Sequence, residues 1–172
     1  MSNEHLILSV ISDDKPGVVK ALANAISSNG GNWLESRLAQ LAGKFAGVIR
    51  VAVTVQEKDA LCLALASLKE QGIKVAVDTA DDHKIEPTGK TAAFTAVGPD
   101  RKGIVYEISQ ALTRYHINVE ELTTHYSSMP YSGEPLFEAE GTLRIPEGTD
   151  WDELLDQLDE IADALAVDIK IE

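Results

Sequence analysis

Between His5 and Ser12 the apolar residues Leu6, Leu8 and Val10 fall on one parity and Ile7 and Ile11 on the other. That pattern predicts a strand covered on both faces, in the middle of a sheet. From Lys15 to Asn29 the period lengthens: Val18, Val19, Leu22, Ala23 and Ile26 recur at helical spacing, and Gly30-Gly31 supplies a left-handed stop. Asn32 to Leu41 reads as a second strand, Ala42-Gly43-Lys44 as a turn, and Phe45 to Gln56 as a third strand with Ile49, Val51, Val53 and Val55 on one face. Asp59 to Gln71 predicts a helix through Leu61, Leu65 and Leu68, which Gly72 ends, and Ile73 to Asp78 returns as a fourth strand.

The same order then recurs. Strands are predicted at Ala92 to Val97, Asn118 to Tyr126, Leu136 to Ile145 and Val167 to Ile171, and helices at Asp100 to Tyr115 and Trp151 to Leu165. Gly17 and Gly103 stand 86 residues apart, as do Asn32 and Asn118, and Glu35 and Glu121. The chain is therefore a tandem repeat. Each half reads β-α-β-β-α-β, which with right-handed crossovers gives a four-stranded antiparallel sheet carrying two helices on one face, the ferredoxin-like α+β fold. The expected domains are 1–80 and 91–172. The segment 81–90 between them, with Asp81-Asp82-His83 and no apolar periodicity, is a linker. The halves diverge most at 127–135, where the second hairpin is longer than the first and rich in turn formers.

Charge and composition narrow the function. The 172 residues carry a formal charge of −13, which opposes direct nucleic-acid binding because that depends on neutralising phosphates. Much of the acidity lies on one polar helix face, in Asp152, Glu153, Asp156, Asp159, Glu160 and Asp163, and reads as a solubilising surface. No apolar run approaches the roughly 20 residues of a membrane span, no signal-like layout opens the chain, and Cys62 stands alone. A reducing cytoplasm fits these features. The four histidines show no metal-ligand spacing, and Ser127, Ser128 and Ser132 lie in no nucleophile motif, so neither a metal, a cofactor nor catalysis is expected.

The stretch most open to a ligand is Asp13-Asp14-Lys15-Pro16-Gly17-Val18-Val19, a strand-to-helix turn. Asp14 is expected to cap the helix and Pro16 to occupy its first turn. Gly17 keeps the surface bare, so helix-start N–H groups stay accessible to a carboxylate. Asn32 could hydrogen-bond the same small zwitterion from an adjoining surface. The device returns at Pro99-Asp100-Arg101-Lys102-Gly103-Ile104-Val105 with Asn118. The competing reading is purely structural: a cap, a close packing contact and a turn residue.

Asp14 to Val19, Asn29-Gly30-Gly31-Asn32 and Glu35-Ser36-Arg37-Leu38-Ala39-Gln40-Leu41 together resemble the ACT domain. The Glu-Ser-Arg-Leu-Ala run points within that family to regulators of the glycine cleavage system. The second half follows the general pattern through Asp100, Gly103, Ile104, Val105 and Asn118, but has Lys102 where a proline is usual. The resemblance implies an amino-acid-sensing regulator that takes glycine or a similar small effector and acts through a protein partner such as a transcriptional activator, with a homodimer possible. It implies ligand contacts from Asp14, Lys15, Pro16, Gly17, Val18, Asn32 and Trp33, and from Asp100, Lys102, Gly103, Ile104, Asn118 and Val119. A ligand-free dimerisation module and a small ferredoxin-like enzyme are the alternatives. The turns lack the phosphate loop an acylphosphatase-like enzyme needs, and the central strands lack the paired aromatics of an RNA-binding sheet.

Overall fold

The computed structural model describes residues 3–80 and 88–172. The chain falls into two compact units, Met1–Lys84 and Ile85–Glu172. Most of the expected linker, 81–87, lies outside the described residues.

The first unit runs β1 (Asn3–Asp13), α1 (Val18–Ser27), β2 (Asn32–Leu41), β3 (Lys44–Thr54), α2 (Lys58–Ser67) with a 3₁₀ turn over Leu68–Gln71, and β4 (Lys74–Thr79). The second repeats it as β5 (Lys90–Pro99), α3 (Ile104–Arg114), β6 (Asn118–Ser128), β7 (Pro135–Ile145), α4 (Trp151–Leu165) and β8 (Asp168–Ile171). Each unit holds one antiparallel sheet, in the orders β2-β3-β1-β4 and β6-β7-β5-β8. This is the predicted ferredoxin-like α+β architecture, twice.

Each core forms where the helices meet one face of the sheet. In the first unit Leu6, Leu8 and Val10 of β1 and Ile49, Val51 and Val53 of β3 pack against Leu22 and Ile26 of α1 and Leu61 and Leu65 of α2. In the second, Phe94 and Ala96 of β5 and Phe137, Ala139 and Leu143 of β7 meet Ile108 and Leu112 of α3 and Leu154 and Leu158 of α4. The expectation that β1 is covered on both sides is corrected. Ile11 is 47% exposed, because both helices lie on the other face. Val55, expected on the inward face of β3, falls beyond the strand and is 48% exposed.

The helix starts also differ from expectation. Helix α1 begins at Val18, not Lys15, and α3 at Ile104, not Asp100. Neither Asp14 nor Pro16 belongs to the helix: Gly17 is the N-cap, at φ 96°, and no side chain caps α1. Gly103 holds the same place at φ 88°. A left-handed residue reverses the chain direction immediately before the helix, which displaces Asp14 from capping distance and makes glycine the residue of least strain there.

Candidate functional site

Both turns are built alike. The Asp14 amide donates to the Gly43 carbonyl (2.9 Å) and Ala21 N–H donates to Gly17 O (2.9 Å), the first bond of α1. In the second unit Asp100 N–H donates to Pro135 O (3.0 Å) and Glu107 N–H to Gly103 O (3.0 Å). The turns are thus pinned to the β2–β3 and β6–β7 connections. In the first unit Lys44 also donates to the Asp13 carboxylate, which holds Asp13 below the ordinary aspartate range through that hydrogen bond and then through the lysine charge.

The immediate surroundings of the two glycines differ. A β-carbon built on Gly17 has no heavy atom within 4 Å, whereas one on Gly103 meets Glu107 Oε1 at 4.0 Å. Arg101 Nη2 donates to Glu107 Oε2 at 2.8 Å, so an ion pair lies over the second helix start. Lys15 Nζ donates to the Gln71 carbonyl at 2.8 Å, tying the first turn to the end of the 3₁₀ segment. Helices α1 and α3 have no side-chain cap, in contrast to α4, where Asp150 accepts from the Glu153 amide at 3.1 Å. The first amides of α1 and α3 therefore keep their affinity for an anion.

The predicted residues fall into three groups. Asp14, Lys15, Pro16 and Gly17, with Asp100, Lys102 and Gly103, are exposed around the turns. Val18 and Ile104 are each only 4% exposed and belong to the cores, so only their backbone can face a ligand. Asn32, Trp33, Asn118 and Val119 are elsewhere. Asn32 pairs with Ala52, which pairs with His5, while the turn follows Asp13. Eight strand residues at about 3.3 Å each put Asn32 about 26 Å from the turn of its own unit. Asn118, paired with Arg144 opposite Thr91, is equally remote from the turn after Pro99. Within one unit the two parts of the predicted site do not meet, since a helix carries the chain from one end of the sheet to the other. Trp33 packs against the first core.

One feature escaped the sequence reading: an apolar slot in the second unit between α3 and β6, lined by Phe94, Ile108, Leu112 and Phe137 inside and by Val105, Val119 and Leu122 at its mouth. Its signal was a difference between repeats rather than a motif. Among the described residues no group of three or more His, Cys, Asp or Glu could hold a metal ion, and no helix is long and apolar enough to cross a membrane.

Residues 4–79 match the family model of the ACT domain. Over nearly the whole chain the fold is similar to that of a protein of unknown function from Galdieria sulphuraria, with a TM-score of 0.83, 25% identity, and 99% of this chain and 98% of that one covered. It is also similar to a protein proposed to be a glycine cleavage system transcriptional repressor, with a TM-score of 0.74, 17% identity, and 100% and 98% of the two chains covered. None of the curated proteins searched matches the chain. The first unit matches the ACT-domain model, and the second repeats its strand order and fold.

Proposed function

We propose that this protein is a cytoplasmic, amino-acid-responsive regulator, a binder rather than a catalyst, that controls transcription of glycine cleavage genes through a protein partner. The observation that carries the reading is the start of α1. It has no side-chain cap, is exposed, and leaves the space where a Gly17 β-carbon would stand clear of heavy atoms within 4 Å. The carboxylate of a small amino acid such as glycine takes the helix-start amides, where the helix dipole favours negative charge. Asn32 or Asn118 completes the site from an adjoining surface, as in a homodimer, because neither reaches the turn of its own unit.

A net charge of −13 makes the partner, not this chain, the DNA-binding component. Calorimetric titration of the intact protein with glycine, alanine and serine tests the effector, and the absence of any saturable binding at millimolar concentration would sink the reading. Sequence-selective, sub-micromolar DNA binding by the protein alone at physiological salt would contradict the assignment of a partner.

A second reading, a structural module with no ligand, draws on one contact: Lys15 is engaged with the Gln71 carbonyl, so the turn already ties two elements together. The same titration separates the two.

A further inference from the structure

The first hydrogen bond of each helix matches the two turns residue by residue: Ala21 N–H donates to Gly17 O, and Glu107 N–H to Gly103 O. The fourth residue after the turn glycine is therefore a methyl side chain in the first unit and a carboxylate in the second. No acidic residue stands in the first turn of α1, whereas Glu107 stands in that of α3. Two residues before each glycine lies a cation, Lys15 or Arg101, and the two are engaged differently. Lys15 Nζ donates to the Gln71 carbonyl at 2.8 Å, and nothing stands within 4 Å of where a Gly17 β-carbon would be. Arg101 Nη2 donates to Glu107 Oε2 at 2.8 Å, and Glu107 Oε1 stands 4.0 Å from where a Gly103 β-carbon would be.

An anion at a helix start is favoured by the amides that have no partner within the helix, by the helix dipole and by any cation beside them. At α3 a carboxylate of the chain itself already stands in that field and holds the neighbouring guanidinium. A second carboxylate arriving beside Gly103 meets like charge at about 4 Å and a cation that is already paired. Repulsion between unit charges at that distance lowers affinity about fivefold even with the full screening of bulk water, and by more where water is partly excluded. The start of α1 has no such internal carboxylate.

We infer that Glu107, held by Arg101, takes at the second turn the place that a ligand carboxylate takes at the first, so that the intact chain accepts one amino acid, at the start of α1. That the ligand is an amino acid rests on the function proposed above; the inequality of the two turns does not. Glu107 is then the residue that decides which of the two duplicated turns is open. Its removal leaves the start of α3 with an unpaired guanidinium and no competing carboxylate, whereas removal of Arg101 leaves the carboxylate in place. The two substitutions therefore act on the second turn in opposite directions, which a merely structural ion pair does not predict.

The test uses the intact chain and the variants Glu107→Gln and Arg101→Gln, each checked for folding by circular dichroism. Acetate, a carboxylate without an amino group, is titrated against chloride at constant ionic strength while the backbone amide resonances are followed. In the wild type it is expected to shift Val18 and Val19 and to leave Ile104 and Val105 in place. Glu107→Gln is expected to bring in shifts at Ile104 and Val105, with an affinity at least about fivefold above the wild type's, and Arg101→Gln to bring in none. Calorimetry with glycine is expected to give one site per chain in the wild type and two in Glu107→Gln. Acetate shifts of equal strength at both turns of the wild type, two glycine sites per wild-type chain, or an α3 start still silent in Glu107→Gln would each overturn the inference. Acetate shifts as expected, with no glycine bound by any of the three proteins, would sink the proposed effector and leave the inequality of the turns standing.

Discussion

The two units share a fold and a turn but solve the same packing problem with different residues. In the first, Leu8 of β1 lies opposite Ile49 of β3; in the second, Phe94 of β5 lies opposite Gly141 of β7. Gly141 cannot be enlarged, because a β-carbon there would stand 2.2 Å from the Glu121 carbonyl. Strand β6 therefore runs close to β7 at that point, and the bulk returns on the neighbouring strand as Phe94. Farther out, the first unit closes its helix-to-edge-strand gap with Trp33 and Leu38, while the second leaves it open. A repeat preserves the elements and their order while leaving the filling of each core free to vary, and the two cores are filled by different residues.

The most disruptive way to break the comparison is to remove the plug of the first unit. Trp33→Val is expected to cost about 2 kcal/mol, read by urea denaturation, because a half-buried indole leaves a gap that the strand cannot close. The reverse change, Val119→Trp, is expected to be neutral or mildly stabilising. Equal destabilisation by both would show that the second unit has no space to fill.

Gly17→Ala and Gly103→Ala come next. Both glycines have φ near 90°, so each substitution is expected to cost on the order of 1 kcal/mol through backbone strain, with thermal shifts of similar size in the two units. Open space beside Gly17 does not exempt it, and for the same reason a valine there would confuse loss of binding with loss of folding. A stability unchanged by Gly17→Ala would remove the strain argument.

Helix capping separates the units at a smaller scale. Asp150→Ala is expected to cost about 1 kcal/mol, since its side chain accepts from the Glu153 amide. Glu57→Ala, at the start of α2, removes no side-chain bond to a helix amide, only the acceptor of the Thr54 hydroxyl, and is expected to cost less than Asp150→Ala. Comparable hydrogen-exchange protection at the starts of α2 and α4 in the two variants would contradict this.

The smallest expected effect is a pH dependence confined to the first unit. The Asp13 carboxyl is held below its ordinary value of 3.8 by Lys44. A depressed folded-state pKa contributes stability above the unfolded value and loses it as pH falls through the folded one. The pair is exposed, so the contribution is slight. The second unit has Pro99 and Leu136 at the corresponding positions. The difference in melting temperature between wild type and Asp13→Asn is expected to shrink as pH drops below 3.8; a constant difference down to pH of about 2 would refute the coupling.

Much of the molecule was legible as sequence because the evidence is local. The alternation of Leu6, Leu8 and Val10, and the helical spacing of Leu61, Leu65 and Leu68, report a single buried face each, and both patterns hold in the structure. The 86-residue recurrence of Gly17 and Asn32 gave the duplication and, through element order, the fold. What local pattern could not decide was coverage and proximity. Whether Ile11 is buried depends on which side of the sheet both helices take. Whether Gly17 and Asn32 meet depends on α1 carrying the chain to the far end of the sheet. Whether Val119 lines a slot or a solid core depends on which residues oppose it across α3 and β7. Periodicity is a property of consecutive residues; burial, reach and cavities belong to residues brought together from distant parts of the chain, and only the tertiary structure sets those distances.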